Sequence, residues 1–320
     1  MTQALTRHDR VLGSLIGGAV GDALGYQVEF DRWDHIEAEF GPAGVTEMRS
    51  NLISDDTQMT LFTVEGLLLA QPDGSPEDHV AQVRLAYLRW RETQREPMPP
   101  TGSQGLAAQP WLYSRRAPGN ACISGLRDGA RPGVNPNSKG CGTVMRSAPF
   151  GLHFDPGKAF AIAEQCSQLT HGHPTAGASA GAFAMIVAHL MNGETPQRAV
   201  SATMLHLRGG LDRSETADAL QAAYKLAGNV PPGPNTCAPL GEGWIAEEAL
   251  AIAVYCLLGT DDVRKGLTAS VSHSGDSDST GAILGNLYGA AYGHAALPKE
   301  WASQVEGRDV ITALADLLAA

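Results

Sequence analysis

Basic residues are scarce in this chain: Lys and Arg total 23 against 34 Asp and Glu, for a formal net charge of −11. Non-specific affinity for nucleic-acid backbones comes from basic patches, so this balance argues against a general DNA- or RNA-binding surface. A phosphate-bearing small molecule stays open, held by backbone N–H groups, helix N-termini, metal ions and a few local cations. Cysteine is sparse as well. The five present are an odd number with no Cys-x-x-Cys, a usage that points to free thiols and a cytoplasmic location. No run reaches the ~18 uninterrupted apolar residues of a membrane helix, so no membrane partner is expected. Arg7 and Arg10 precede a mildly apolar stretch from Val11, but four glycines and Asp22 interrupt it and no small-residue cleavage site follows. It is not read as a signal sequence.

Strand-like alternation is also scarce, and neither a fixed-period repeat nor a linker stands out. With 43% hydrophobic and 18% charged residues the composition is that of a globular protein. The expected fold is all-α, a single compact orthogonal helical domain over residues 1–320. Helical periodicity predicts elements over 10–25, 55–70, 77–95, 121–129, 159–169, 175–191, 213–227 and 246–258, with one more after Asp278. The 55–70 helix should bury a face of Met59, Phe62, Gly66 and Leu69.

Glycine, by contrast, is plentiful and patterned. Gly13, Gly17, Gly21 and Gly25 recur every fourth residue, as do Gly281, Gly285, Gly289 and Gly293. That spacing lines each set along one helix face. Interior glycine is unfavourable by roughly 0.5–1 kcal/mol relative to alanine, so two such stripes imply backbones that must come very close. Gly177, Ala180, Gly181, Ala184 and Ala188 form a third small-residue face.

Two acid-rich helix starts carry the chemistry. Ser54-Asp55-Asp56-Thr57 opens one helix, and Asp276-Ser277-Asp278-Ser279-Thr280 opens another. One Ser or Asp suffices to cap an N-terminus, and acids there are favoured by the helix dipole. Runs of oxygen-bearing side chains exceed that need. Their mutual repulsion, with no lysine or arginine nearby in sequence, is resolved most simply by a hard metal ion shared between the two motifs. Glu29, in the aromatic and apolar pentad Tyr26–Phe30, gains interest beside them.

The Gly/Pro-rich segment from Pro97 ends in Lys139-Gly140-Cys141-Gly142-Thr143, whose backbone could meet a phosphate. It is not a Walker loop, because the lysine precedes the glycine. His171 and His173 lie in a turn, without the i, i+4 spacing or third ligand of a zinc site, so hydrogen bonding to a ligand suits one of them better. Trp244 precedes a helix, and packing is its ordinary role.

Taken together, these motifs resemble the ADP-ribosylglycohydrolase family. The carriers are Gly17-Gly18-Ala19-Val20-Gly21-Asp22-Ala23-Leu24-Gly25, Ser54-Asp55-Asp56-Thr57-Gln58-Met59, Gly142-Thr143-Val144-Met145-Arg146, Leu169-Thr170-His171 and Gly275-Asp276-Ser277-Asp278-Ser279. The resemblance implies an all-α domain with two divalent ions, Mg²⁺ or Mn²⁺, at the base of an ADP-ribose cleft. It implies metal ligation by Ser54, Asp55, Asp56, Asp276, Asp278 and Ser279, where relatives commonly carry Thr for Ser54 and Ser279. Glu29 or Asp56 would handle the proton. Lys139, Gly140, Cys141, Gly142, Thr143 and His171 would contact the ADP-ribose, although Lys-Gly-Cys-Gly-Thr departs from the commoner Asn-Gly-Ser or Asn-Gly-Gly forms.

The implied activity is metal-dependent hydrolysis of the bond between ADP-ribose and a modified side chain, arginine first. O-linked (serine) or free ADP-ribose derivatives are the alternative within enzymes. A non-catalytic ADP-ribose- or metal-binding protein, or a structural relative, is the alternative outside enzymes, and a phosphohydrolase with a similar carboxylate-held pair of metals is a third. The expected partner is an ADP-ribosylated protein or small ADP-ribose derivative, and the expected state a monomer.

Overall fold

The computed structural model describes residues 5–71, 73–210 and 213–320. The chain is 65% helical, and no strand forms among the described residues. A lone antiparallel bridge joins Gly140 to Ile245. The helices are α1 (Arg7–Tyr26), α2 (Trp33–Phe40), α3 (Asp55–Leu69), α4 (Pro76–Thr93), α5 (Asn120–Gly125), α6 (Ala148–His153), α7 (Pro156–Ser167) and α8 (Pro174–Met191). There follow α9 (Pro196–Leu207), α10 (Ser214–Ala227), α11 (Ala246–Gly259), α12 (Val263–Val271), α13 (Ser277–Tyr292), α14 (Lys299–Gln304) and α15 (Arg308–Ala319).

Local chemistry sets the ends. α1 starts a turn before the expected Arg10 because Thr6 and Asp9 close a capping box, and Ser75 and Asp78 do the same for α4. α5 is shorter than the 121–129 expectation and stops at Gly125.

The most extensive helix contact among the described residues is α1 against α13. A Cβ built on Gly17 would lie 2.3 Å from the carbonyl oxygen of Gly285, one on Gly21 1.9 Å from that of Gly281, and one on Gly25 2.2 Å from that of Ser277. Gly13 similarly faces Gly289. Each step of four residues up α1 is thus a step of four down α13. The two run antiparallel, backbone on backbone, over about 18 Å. A contact that long requires nearly aligned axes, so this pair is not orthogonal. Ser14 Oγ donates to Asn286 Oδ1 across the seam at 3.3 Å, and Gly18 leaves room for that amide. Gly293 departs from the expected stripe: it lies just past α13 as its C-cap with φ +77°, where a glycine is favoured.

Around this pair α3, α8 and α11 are buried on nearly every side. α3 therefore has no single apolar face of the expected kind. Met59, Phe62 and Gly66 are enclosed, but Leu69 at its last turn is 55% exposed because the helix has left the core by then. α8 has the length and composition of a membrane span, yet it is mostly buried inside the protein. Its small-residue face receives α7, with Gly181 beneath the Phe160 ring and Gly177 against Glu164 and Ser167.

The glycine seam makes a direct prediction. Gly21→Ala should destabilise the protein by at least ~2 kcal/mol, since the added methyl must push two backbones apart. Gly157→Ala on α7, where a Cβ meets nothing within 4 Å, should be neutral or slightly stabilising. Urea unfolding of both variants checks this, and equal stabilities would contradict it.

Candidate active site

The α1–α13 seam places the C-terminal end of α1 against the start of α13. α3 is brought to the same place by Asp22, buried on α1 among the glycines. Its carboxylate accepts the Ser54 N–H at 3.0 Å, the Thr57 N–H at 3.0 Å and the Thr57 hydroxyl at 2.5 Å. Asp22 therefore fastens the head of α3 to α1. Both acid-rich motifs also cap their helices. Ser54 Oγ accepts the Asp56 N–H at 3.2 Å, and Asp276 Oδ1 accepts the Ser279 N–H at 3.3 Å. The Ser279 N–H is shared with Asp278 Oδ1 at 2.8 Å and Asp55 Oδ2 accepts the Gly119 N–H at 3.2 Å, so Asp56 is the aspartate of the two motifs left with an unpartnered oxygen.

These residues open into one cavity of about 660 Å³, a size within the roughly 300–1,000 Å³ of small-molecule sites. Glu29, Asp55, Asp56, Asp276, Asp278 and Ser279 line it, together with Gly140, Cys141, Gly142 and His171. Ser54 is fully buried and does not line the cavity. Lys139 and Thr143 do not line the cavity. The Lys139 ammonium is paired with Glu215 at 2.9 Å and with Glu247, and Thr143 Oγ1 donates to the Ala176 carbonyl at 3.0 Å. The Cys141 N–H is likewise spent, on the Trp244 carbonyl at 3.1 Å, so that amide does not face a ligand.

The five carboxylates cannot all be charged as they stand. Burial pushes Asp55, Asp56 and Asp276 well above the ordinary range, and the neighbouring Asp278 raises each further. Glu29 is pushed up to about 10 by burial first, then by Asp278, Asp276 and Asp55. Asp22 reaches about 7 for the same two reasons, despite its hydrogen bonds.

Among the described residues no three His, Cys, Asp or Glu side chains already converge closely enough to hold an ion. The donor chemistry nevertheless fits a hard divalent cation. Asp278 is near enough to raise the pKa of both Asp276 and Glu29, a crowding that a proton or a cation between the oxygens would relieve. Asp56 Oδ2 and Glu29 Oε2 are buried with no partner at all. One softer atom joins them: the Cys141 thiol donates to Asp276 Oδ2 at 2.7 Å.

His171 has a defined role as a neutral donor. Arg146, buried beneath it, can only donate, and its Nη2 reaches Thr170 Oγ1 at 2.6 Å. Of the two acceptors near the Thr170 hydroxyl, His171 Nδ1 at 2.8 Å is closer than the Ser167 carbonyl at 3.5 Å, and a bond to Nδ1 puts the ring proton on Nε2, the atom beside Gly140 and Gly142 in the cavity wall. Burial, helped by Arg146, depresses the His171 pKa to about 3, so the ring stays neutral.

Four features of the site were not assigned from sequence. Asp22 had a signal, an acid inside an otherwise apolar glycine-striped helix. Arg115 brings the cation that neither acid motif has nearby in sequence. Phe30 and Trp244 stack at 5.5 Å between centroids and 18° between planes, both lining the cavity. Packing in the core, the ordinary role of a lone tryptophan, does not describe Trp244, which is 37% exposed.

The scaffold is all-α, and a buried carboxylate-lined cavity at the heads of two of its helices is the candidate site. A family model described as ADP-ribosylglycohydrolase matches residues 3–320, and the chain belongs to that family of glycosidic-bond hydrolases. It is similar to the ADP-ribosyl-[dinitrogen reductase] glycohydrolase of Rhodospirillum rubrum, 27% identical over 93% of this chain and 91% of that one. It is 24% identical to the ADP-ribosylarginine hydrolase Tri1 of Serratia proteamaculans, over 97% of this chain and 79% of the relative. A solved structure described as an ADP-ribosylglycohydrolase-related protein complex superposes with a TM-score of 0.69, at 25% identity over 98% of both chains. The family is generally dependent on divalent metals.

The raised carboxyl pKa values have a measurable sign. Glu29 ionises near its ordinary value in the unfolded chain but keeps its proton to about 10 when folded. Its stabilising contribution is complete below about pH 4 and is lost as pH rises through the folded value. In chelator, thermal stability should therefore fall between about pH 7 and about pH 9, above the range where histidines titrate in the unfolded chain. Glu29→Gln should make that fall shallower. A flat profile in the wild type would contradict the assignment.

Proposed function

We propose that this chain is a metal-dependent hydrolase that cleaves the bond between C1 of the distal ribose of ADP-ribose and a modified arginine side chain. The observation that carries this reading is the cavity where the heads of α3 and α13 present Asp55, Asp56, Asp276 and Asp278 beside Glu29. The names of the relatives support the arginine acceptor, since one is an ADP-ribosylarginine hydrolase and both act on ADP-ribosyl groups. The enzyme is proposed to work as a single-domain monomer in the cytoplasm on an ADP-ribosylated protein or a small ADP-ribose derivative.

Two divalent ions, Mg²⁺ or Mn²⁺, would be held by Ser54, Asp55, Asp56, Asp276, Asp278 and Ser279. Bound there, they supply positive charge against the ribose hydroxyls and a water of lowered pKa. The chain's own groups do the rest. Cleavage passes through an oxocarbenium-like state with positive charge at C1, which a wall of carboxylates favours. Glu29 has an unpartnered Oε2 and, in the metal-free site, a pKa raised by burial and by Asp278, and it is the proposed group that delivers a proton to the leaving nitrogen. Asp56, also unpartnered at one oxygen, is the other proton handler in reach. Arg115 is placed to meet phosphate charge, and the His171 Nε2–H offers a neutral hydrogen bond.

Incubation with arginine-linked and serine-linked ADP-ribose, with and without Mg²⁺ or Mn²⁺, should release intact ADP-ribose from the arginine adduct. Asp55→Ala and Asp278→Ala should each lower turnover by at least about 10²-fold and abolish the cation-dependent rise in melting temperature. Full turnover by either variant, or by chelator-treated wild type, would overturn the reading. So would release of AMP or phosphate in place of ADP-ribose.

A further inference from the structure

Phe30 and Trp244 form an aromatic surface that core packing does not explain. Phe30 is 66% exposed and its backbone has φ +73°, a left-handed conformation rare for a side chain of this size. Trp244 is fixed in orientation by its indole N–H, which donates to Glu242 Oε2 at 3.2 Å. Both segments are tied to the turn that carries Asp276. The Gly275 N–H donates to the Asp31 carbonyl at 3.3 Å, and the Asp276 N–H to the Glu242 carbonyl at 2.8 Å. The stacked pair therefore stands at the carboxylate end of the cavity, one residue from Glu29.

That position bears on what the rings meet. On the hydrolase reading the ribose to be cleaved sits at the carboxylates, so the group on its C1 leaves close to the pair. Glu29 and Asp31 stand on either side of Phe30 in the chain, Glu242 accepts the Trp244 indole N–H, the exposed Arg32 is matched by Asp34 at 3.8 Å, and Arg115 is the arginine that lines the cavity with the rings. Aromatic faces edged by carboxylates suit a flat, delocalised cation, which stacks on the ring and donates at its rim. A serine-linked acceptor presents no such group.

We infer that Phe30 and Trp244, with Glu29 and Glu242 at their edge, are the acceptor subsite, and that they select a guanidinium-bearing leaving group over a hydroxyl-linked one. This rests on the hydrolase reading above and adds the residues that set its specificity.

The test compares kcat/KM on arginine-linked and serine-linked ADP-ribosyl peptides. In Trp244→Ala the arginine-to-serine ratio should fall about tenfold, chiefly through KM, and the Ki of agmatine as a competitive inhibitor should rise by a similar factor. Trp244→Tyr, which keeps a ring, should restore most of both. Phe30→Gly removes the other ring while suiting the left-handed backbone, so it should lower the ratio without unfolding the protein. Equal losses on both substrates, or a ratio within about twofold of wild type in both Trp244→Ala and Phe30→Gly, would overturn the subsite. A wild-type enzyme that cleaves neither peptide would instead remove the hydrolase reading, and the subsite with it.

Discussion

The backbones of α1 and α13 touch because glycine fills the positions where the two helices come closest. Four consecutive steps of the contact pair Gly13, Gly17, Gly21 and Gly25 with Gly289, Gly285, Gly281 and the backbone of Ser277. Each interior glycine weakens its own helix, so the seam is kept only if close approach returns more than it costs. What it returns is partly packing and Cα–H···O contact. The larger return is placement. The seam fixes the start of α13 against the end of α1, and Asp22, on the same stretch of α1, then fixes the start of α3. Two helix heads far apart in sequence are thereby held at one cavity.

That placement is electrostatically costly. Carboxylates brought together in a buried pocket raise one another's pKa, and the orphaned oxygens of Asp56 and Glu29 have no protein partner. Such an arrangement persists only where the rest of the fold over-determines it, and the glycine seam is the element that does so. A divalent cation would relieve the repulsion, and a proton on Glu29 relieves it in part. Stability and chemistry here draw on the same groups.

The glycine-striped and core helices were legible in the sequence, because period-four glycines and apolar repeats are local signals, whereas α2, α6, α9, α12, α14 and α15 were not among the expected elements. The two acid motifs were legible as halves of one site because each carries more oxygen donors than a cap requires. Other features needed the third dimension. Lys139 looks like a phosphate ligand beside Gly140, but Glu215 and Glu247, from distant helices, capture its ammonium. Gly293 shares the spacing of the stripe yet ends the helix, since spacing alone does not say where a C-cap falls. Phe30 and Trp244 meet only because two loops are bonded to the same turn, a contact no local pattern encodes.

The central claim is that the glycine seam assembles a single divalent-cation site from the heads of α3 and α13. Anomalous diffraction from crystals grown with Mn²⁺ tests it most directly. The account predicts anomalous peaks between the Asp55–Asp56 pair and the Asp276–Asp278 pair, lost in Asp278→Ala. Mn²⁺ bound only elsewhere on the protein, or retained at the site in that variant, would contradict it.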